Sequence, residues 1–449
     1  MYLSFQYTIL CVILVFTMLN PSTVAERYFL YDIDSVEGFN LKRDVYIRVV
    51  NLIRAMSAKT NQSWTVVLPP WGPTRHWDID GKGAQFGRLP WGTFFDIESL
   101  KTILPVIEFD EFYENVLWPP SEMEQIPIDI AIHLKHNFEF SETERDERPK
   151  LCPKSWYESA PDNMHDVDFR WKSSNDTHLI PTHGSAMLVG KRYECIVGAL
   201  EIARLASFLP ELLNSSTRYV YLHSAEKLVH GTYDKWSPEF WQVRRSMRFS
   251  ETLKLYARKF LQSRLNYIVP TNMTENKTDH LTGRFIAIHW RCGDYVLANH
   301  RDPWINTPTP TLLVEQIRQA VAYVNANLSE PLDTVFLATD GLVDHVRQVQ
   351  DGIKPLKLVR FVPTERLWEK IGPGGVAIVD QLICSHARFF IGTYQSTFSF
   401  RIKEERMLMN LSVGSTFNDL CAKGQVQLYD DPGTASFNCT RPTAWPVVL

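Results

Sequence analysis

Short apolar runs alternate with amphipathic stretches along this chain, and the spacing predicts an α/β protein. Residues 28–31, Tyr-Phe-Leu-Tyr, read as a strand, and the segment Glu37-Gly38-Phe39-Asn40 reads as a tight turn. Val45, Val49, Leu52, Ile53 and Met56 then recur at helical spacing, so one face of a helix is apolar. Residues 64–68 read as the next strand, stopped by Pro69-Pro70. Strand, helix, strand implies a parallel pair. The region from about 111 to 176 is rich in Pro, acidic and aromatic residues and predicts loops and short helices.

The second half is more regular. A helix is expected over 251–265, a strand over 284–289, a helix over 312–325, and strands over 334–339 and 358–362. A helix over 375–386, a strand over 387–392 and a helix over 397–409 complete the series. The alternation predicts a doubly wound domain, whose ligands bind beyond the carboxyl ends of its strands. The whole is expected to be two Rossmann-like domains facing a cleft, with boundaries at 26–250 and 251–449, because the length is too great for one ordinary core.

Residues 1–25 have an apolar centre shorter than a membrane span and end in Thr23-Val24-Ala25, the pattern of a cleaved secretory signal. An uncleaved anchor is the rival. No later stretch is long and apolar enough to cross a bilayer. Secretion makes the sequons at Asn61, Asn175, Asn214, Asn272, Asn276, Asn327, Asn410 and Asn438 glycosylation candidates, each needing a surface position. It also makes the cysteines beyond Cys11 disulfide candidates, Cys421 with Cys439 first and Cys152 with Cys195 second. A net charge of -4, without a basic run, argues against a nucleic-acid surface.

Three places carry candidate chemistry. Glu37 follows the first strand beside Gly38, which lets the backbone approach a ligand closely. The run His289-Trp290-Arg291-Cys292-Gly293-Asp294 follows a strand. There Arg291 either pairs with Asp294 as an ordinary salt bridge or offers its planar fork to a diphosphate. Gly392 to Phe400 leads from a strand into a helix, where Ser396 and Thr397 mark an N-terminus suited to an anion or to a plain cap. Glu405 reads as an exposed helical acid.

Several long motifs in one order resemble the GDP-fucose protein O-fucosyltransferase 2 family. They are Tyr31-Asp32 with residues 37–48, Leu68 to Gly72, Pro90-Trp91 with Phe94-Phe95-Asp96, His289-Trp290-Arg291, residues 374–381, and residues 387–393 with 396–401. The resemblance implies a GT-B-like fold. It also implies metal-free transfer of fucose from GDP-fucose to Ser or Thr of folded thrombospondin type 1 repeats in the endoplasmic reticulum. It makes Glu37 the base and Arg291 the partner of the leaving diphosphate. Val36, Glu37, Gly38, Phe39, Asn40, His289, Trp290, Arg291, Asp380, Ser396, Thr397 and Phe398 would bind the donor, Asp380 through the guanine. Glu405 matches a family position implicated in activity, and Asp294, three residues beyond Arg291, is the other essential candidate. Cys292 stands where the family has a second basic residue, which puts an auxiliary phosphate contact in doubt.

Two Asp-x-Asp pairs, Asp32 with Asp34 and Asp78 with Asp80, match the metal-binding pattern of other glycosyltransferases, but Arg291 can supply the charge that a metal would. No metal is therefore expected, and GDP-fucose is expected as donor substrate rather than cofactor. The alternatives are transfer to epidermal growth factor-like repeats and a non-catalytic lectin or folding sensor. The chain ends Trp445-Pro446-Val447-Val448-Leu449 and shows no retention tetrapeptide.

Overall fold

The structure is a computed structural model that describes residues 26–33, 38–72, 88–116, 125–135, 169–174, 178–181, 187–198, 200–229, 237–269, 282–293, 307–326, 328–393, 396–417 and 420. The candidates Val36, Glu37, Asp294, Asn175, Asn272, Asn276, Asn327, Asn438, Cys152, Cys421 and Cys439 lie outside them, as do the expected signal and both Asp-x-Asp pairs in whole or part.

Two compact units account for the described residues. One is drawn from Met1–Asp34, Val45–Pro70 and Lys101–Gly231, the other from Ser35–Asp44, Trp71–Leu100 and Thr232–Leu449. The division therefore falls near 231 rather than 250, and two early segments group with the later unit. Aromatic packing accounts for one of these groupings: Phe39 lies 4.8 Å from Trp71 and 5.1 Å from Phe94, and Phe95 stacks on Phe249.

The first unit holds strands β1 (Tyr28–Tyr31), β2 (Thr65–Leu68) and β3 (Val106–Glu108), with helix α1 (Phe39–Thr60) between the first two. Helix α2 (Ile97–Lys101), nearly all of it in the second unit, precedes β3, and α3 (Phe109–Val116) follows it. Strands β4 (Gln125–Ile128), β5 (Ile130–Lys135), β6 (Phe169–Ser174), β7 (His178–Pro181), β8 (Met187–Gly190) and β9 (Tyr193–Gly198) follow. Then come α4 (Ile202–Leu212) and β10 (Tyr219–His223). Among the described residues the main sheet has the order β3-β2-β1-β10-β5-β9-β6, parallel except for β6 against β9, and β4-β8-β7 forms a smaller sheet. Val45, Val49, Leu52, Ile53 and Met56 are all buried, as the helical spacing predicts. Each such side chain contributes about 1.5–3 kcal/mol on burial.

The region from 111 to 176 is a correction. It supplies β4, β5 and β6, and β5 is an interior strand paired in parallel with both β10 and β9.

The second unit continues with α5 (Pro238–Ser246), α6 (Glu251–Leu265), β11 (Gly283–Trp290), α7 (Pro310–Asn325), β12 (Thr334–Thr339), α8 (Val343–Gly352) and β13 (Lys357–Val359). It ends with α9 (Glu365–Ser385), β14 (Ala387–Ile391), α10 (Thr397–Leu408) and β15 (Thr416–Phe417). Its five strands are parallel in the order β13-β12-β11-β14-β15. Parallel strands covered by helices on both faces need apolar side chains throughout, and Phe285 to Ile288 are fully buried. α9 begins ten residues earlier than its periodicity predicts, because it joins two helical pieces across Gly372, whose φ of 63° an L side chain rarely adopts.

No helix among the described residues is long and apolar enough to cross a membrane. Asn61, Asn214 and Asn410 are exposed. Cys195 is disulfide-bonded, whereas Cys292 and Cys384 are free and buried.

Candidate active site

The order of the second sheet fixes where a ligand can sit. From β11 the chain steps outward to β12 and β13, then returns to β14 and β15 on the other side. Connections leaving adjacent strands in opposite directions open a crevice at their carboxyl ends, here between β11 and β14. His289, Trp290 and Arg291 close β11, while Gly392 and Thr393 follow β14 and lead to α10.

A hydrogen-bond chain stitches this switch point together. The Thr393 hydroxyl donates to the His289 carbonyl at 2.8 Å and accepts from the Arg291 N–H at 3.0 Å. The Thr393 N–H donates to Ser399 Oγ at 3.0 Å, and Ser399 Oγ lies 2.7 Å from His289 Nδ1. The His289 ring stacks on Phe398 with centroids 4.2 Å apart. Burial, followed by the positive charge of Arg291, holds His289 well below its usual pKa, so the imidazole is neutral. Gly392 is required at its position: a Cβ there would meet Ser399 Oγ at 2.6 Å. Neither Thr393 nor Ser399 was nominated from sequence, although both fall within the Gly392 to Phe400 run.

Arg291 stands at the end of the triplet with its side chain 21% exposed, and its Nη1 donates to Asp340 Oδ2 at 2.5 Å. Asp340, which follows β12, is thus a partner that Asp294 alone had suggested from sequence. Trp290, nominated for donor binding, is 1% exposed. Strand alternation turns it into the apolar core, with its indole N–H on the Pro308 carbonyl at 3.1 Å. Phe39 is likewise buried, within the aromatic cluster of Trp71 and Phe94. The Cys292 thiol is pushed up to about 12 by burial and by the Asp340 charge, so it is neutral.

Asp380 lies on α9. Its Oδ1 is buried without a hydrogen-bond partner, and burial raises the carboxyl to about 8 although Arg360 pulls it down. An orphaned carboxylate oxygen costs free energy unless a ligand donor meets it. Its neighbour Gln381 bridges to the start of α1, donating from Nε2 to Asn40 Oδ1 at 2.9 Å and accepting from Arg43 Nη1 at 2.9 Å. The Gly38 carbonyl accepts from Leu41 and Lys42 and so opens that helix. Ser396 is buried at the start of α10, and Thr397 and Phe398 are half-buried beside it.

Glu405 is not the exposed acid its sequence context predicts. It pairs with the buried Arg244, which also donates from Nε to Glu404 Oε2 at 2.6 Å. Glu404 in turn forms an ion pair with Arg401 at 3.1 Å, and Arg401 binds both oxygens of Asp44 at 2.6 and 3.0 Å. Burial lowers Arg43 to about 9, with Arg244 and Arg401 adding to the effect. Its guanidinium lies over the rings of Phe249 and Phe95.

Fold and crevice define an α/β protein with a ligand site at a switch point, and comparison with known proteins gives the class. Residues 28–409 match the GDP-fucose protein O-fucosyltransferase family. The chain is 33% identical over 444 residues to GDP-fucose protein O-fucosyltransferase 2 of Homo sapiens, covering 96% of this chain and 92% of that protein. It is 31% identical over 436 residues to the protein of that name from Drosophila melanogaster, covering 94% and 82%. Among solved structures it resembles POFUT1 in complex with GDP-fucose, with a TM-score of 0.51 and 16% identity over 86% of this chain and 96% of that one. The fold is GT-B-like, and the protein is a glycosyltransferase. The chain belongs to the GDP-fucose protein O-fucosyltransferase family.

Proposed function

We propose that this fucosyltransferase moves fucose from GDP-fucose to a Ser or Thr hydroxyl of folded thrombospondin type 1 repeats in the lumen of the endoplasmic reticulum. The observation that carries the donor half of this reading is Arg291 at the switch point of the second sheet, held by Asp340 beside the N-terminus of α10. A guanidinium fork and a helix N-terminus are both suited to a diphosphate. The orphaned oxygen of Asp380 suits the paired N–H donors of guanine, which would meet the free energy its burial costs.

In the transfer, the acceptor oxygen forms a bond to the anomeric carbon as the bond from that carbon to the diphosphate breaks. Glu37 takes the hydroxyl proton, directly or through a water, and GDP leaves with the electron pair. Arg291 meets the charge that grows on the departing diphosphate, a role that otherwise falls to a divalent ion. The neutral His289, stacked on Phe398, shapes the wall of the crevice without adding charge to it. The relatives, named GDP-fucose protein O-fucosyltransferase 2, support a protein acceptor, and the thrombospondin repeat is what the family resemblance implies.

The test offers purified protein and radiolabelled GDP-fucose to folded thrombospondin repeats and to folded epidermal growth factor-like repeats in parallel. Label on the first alone supports the reading. Label on the second alone overturns the acceptor, and binding without transfer to either would make the protein a lectin.

A further inference from the structure

We propose that Asp340 is the positioning residue that presents Arg291 to the diphosphate of the donor, an inference that rests on the reading of Arg291 above. Asp340 follows β12, and β12 pairs with β11 so that Thr339 lies opposite Trp290. Register therefore delivers the carboxylate to the residues just beyond the end of β11. One oxygen, Oδ2, accepts from Arg291 Nη1, and the other, Oδ1, accepts from the Cys292 N–H at 2.7 Å. A single carboxylate thus grips both the side chain of Arg291 and the backbone that follows it. Fixing both the side chain and the peptide group that follows it determines where the fork is aimed, whereas one point would leave a long side chain to rotate.

The surroundings are built to keep that carboxylate in place. Thr339 Oγ1 donates to the Trp290 carbonyl at 2.6 Å and accepts from the Gly341 N–H at 3.0 Å, which ties the residues on either side of Asp340 back to β11. A Cβ on Gly293 would come within 2.5 Å of Asp340 Oδ2, so a side chain there would push the carboxylate off the guanidinium. Thr307 donates to the Arg291 carbonyl at 2.6 Å and holds the remaining backbone group. At the edge of water an Arg–Asp pair adds little to stability, which directs attention to orientation as its use.

The test compares Asp340→Asn, Arg291→Lys and the double variant with the unaltered protein. GDP and GMP affinities are measured by calorimetry alongside initial rates of transfer. GMP lacks the β-phosphate and serves as the internal check on the fold. Asp340→Asn is nearly isosteric but replaces the accepting oxygen or sets an amide against the guanidinium. It is expected to lower turnover by on the order of 10²-fold. The preference for GDP over GMP should shrink while GMP binds as before. The double variant should be no slower than the slower single variant, since both changes remove one oriented fork.

Independent, multiplying losses in the double variant would overturn the proposal, as would equal weakening of GDP and GMP. Unchanged turnover in Asp340→Asn with a strong defect in Arg291→Lys would overturn the role of Asp340 and leave that of Arg291 intact. Full activity in Arg291→Lys would remove both.

Discussion

Arg401 and Asp44 form a two-pronged ion pair, with the two guanidinium nitrogens of the arginine on the two oxygens of the aspartate at 2.6 and 3.0 Å. Asp44 stands near the start of α1, seven residues after Glu37, and Arg401 stands on α10 one turn beyond Thr397 and Phe398. Arg401 is 3% exposed and also contacts Glu404. Removing one member of such a buried set leaves uncompensated charge, so Arg401→Met should destabilise the protein by about 3–5 kcal/mol. Arg401→Lys should fall between, because a point charge cannot make the fork. Denaturant unfolding measures both. Stability equal to the unaltered protein in Arg401→Met would show that the pair has no structural weight.

Asp380 should couple donor binding to pH. Its carboxyl is raised from 3.8 to about 8 by burial, so the empty protein carries it protonated near neutrality. The guanine N–H donors need the ionised form. GDP affinity should therefore climb with pH up to about 8, by roughly tenfold per unit, and then level off. The sign for folding is opposite: between 3.8 and 8 the folded chain holds a proton that the unfolded chain has released, so this group's contribution to stability falls as pH rises through that window. Asp380→Asn should flatten the first dependence and remove the second. Calorimetric GDP titrations of the two proteins between pH 6 and 9 decide the matter, since any titration of GDP itself is common to both; parallel curves would rule the coupling out.

Glu37→Ala should bind GDP-fucose nearly as well as the unaltered protein and lose roughly two to four orders of magnitude in turnover, the effect of removing a positioned proton acceptor. Rates and donor affinity measured side by side separate this from a binding defect. Near-full activity would reduce Glu37 to a solvated acid.

Glu405→Gln should act through Arg244. Its carboxylate is one of two that hold this buried guanidinium. Losing a charge-assisted hydrogen bond of this kind costs about 1.5–3 kcal/mol. Thermal unfolding should shift downward, while turnover per folded molecule below the transition stays near that of the unaltered protein. A large turnover defect at unchanged melting temperature would place Glu405 in the chemistry instead.

Exhaustive chelation should leave transfer intact, since the diphosphate charge is assigned to Arg291 and backbone donors. Loss of activity on chelation, restored by manganese, would turn attention to the Asp-x-Asp pairs.

The second unit was readable from its sequence because its strands are covered on both faces. Continuous apolar runs such as Phe285 to Ile288 and Val335 to Ala338 are visible without knowledge of their neighbours. The strand β5 escaped because Ile-Ala-Ile-His-Leu-Lys is short, and a run of that length does not separate strand from helix on periodicity alone. Within the site, Arg291 announced itself by following a strand. Asp340 did not, because its place beside Arg291 depends on the β11–β12 register, and 49 residues separate the two in sequence. Glu405 was misread for a related reason: the partner that buries it, Arg244, comes from a helix 161 residues earlier.

The interleaving of the two units governs the order in which the polypeptide can mature during synthesis. Segments Ser35–Asp44 and Trp71–Leu100 leave the ribosome among the earliest residues, yet the sheet of the unit they join is specified only from Gly283 onward. Closing a loop of that length costs only slightly more than closing a shorter one, but the delay exposes Trp71, Trp91, Phe94 and Phe95 while translation proceeds. The nascent chain thus carries a sticky aromatic cluster whose later partner, Phe249, emerges long after it, and shielding that cluster is a task for whatever assists folding in the interval.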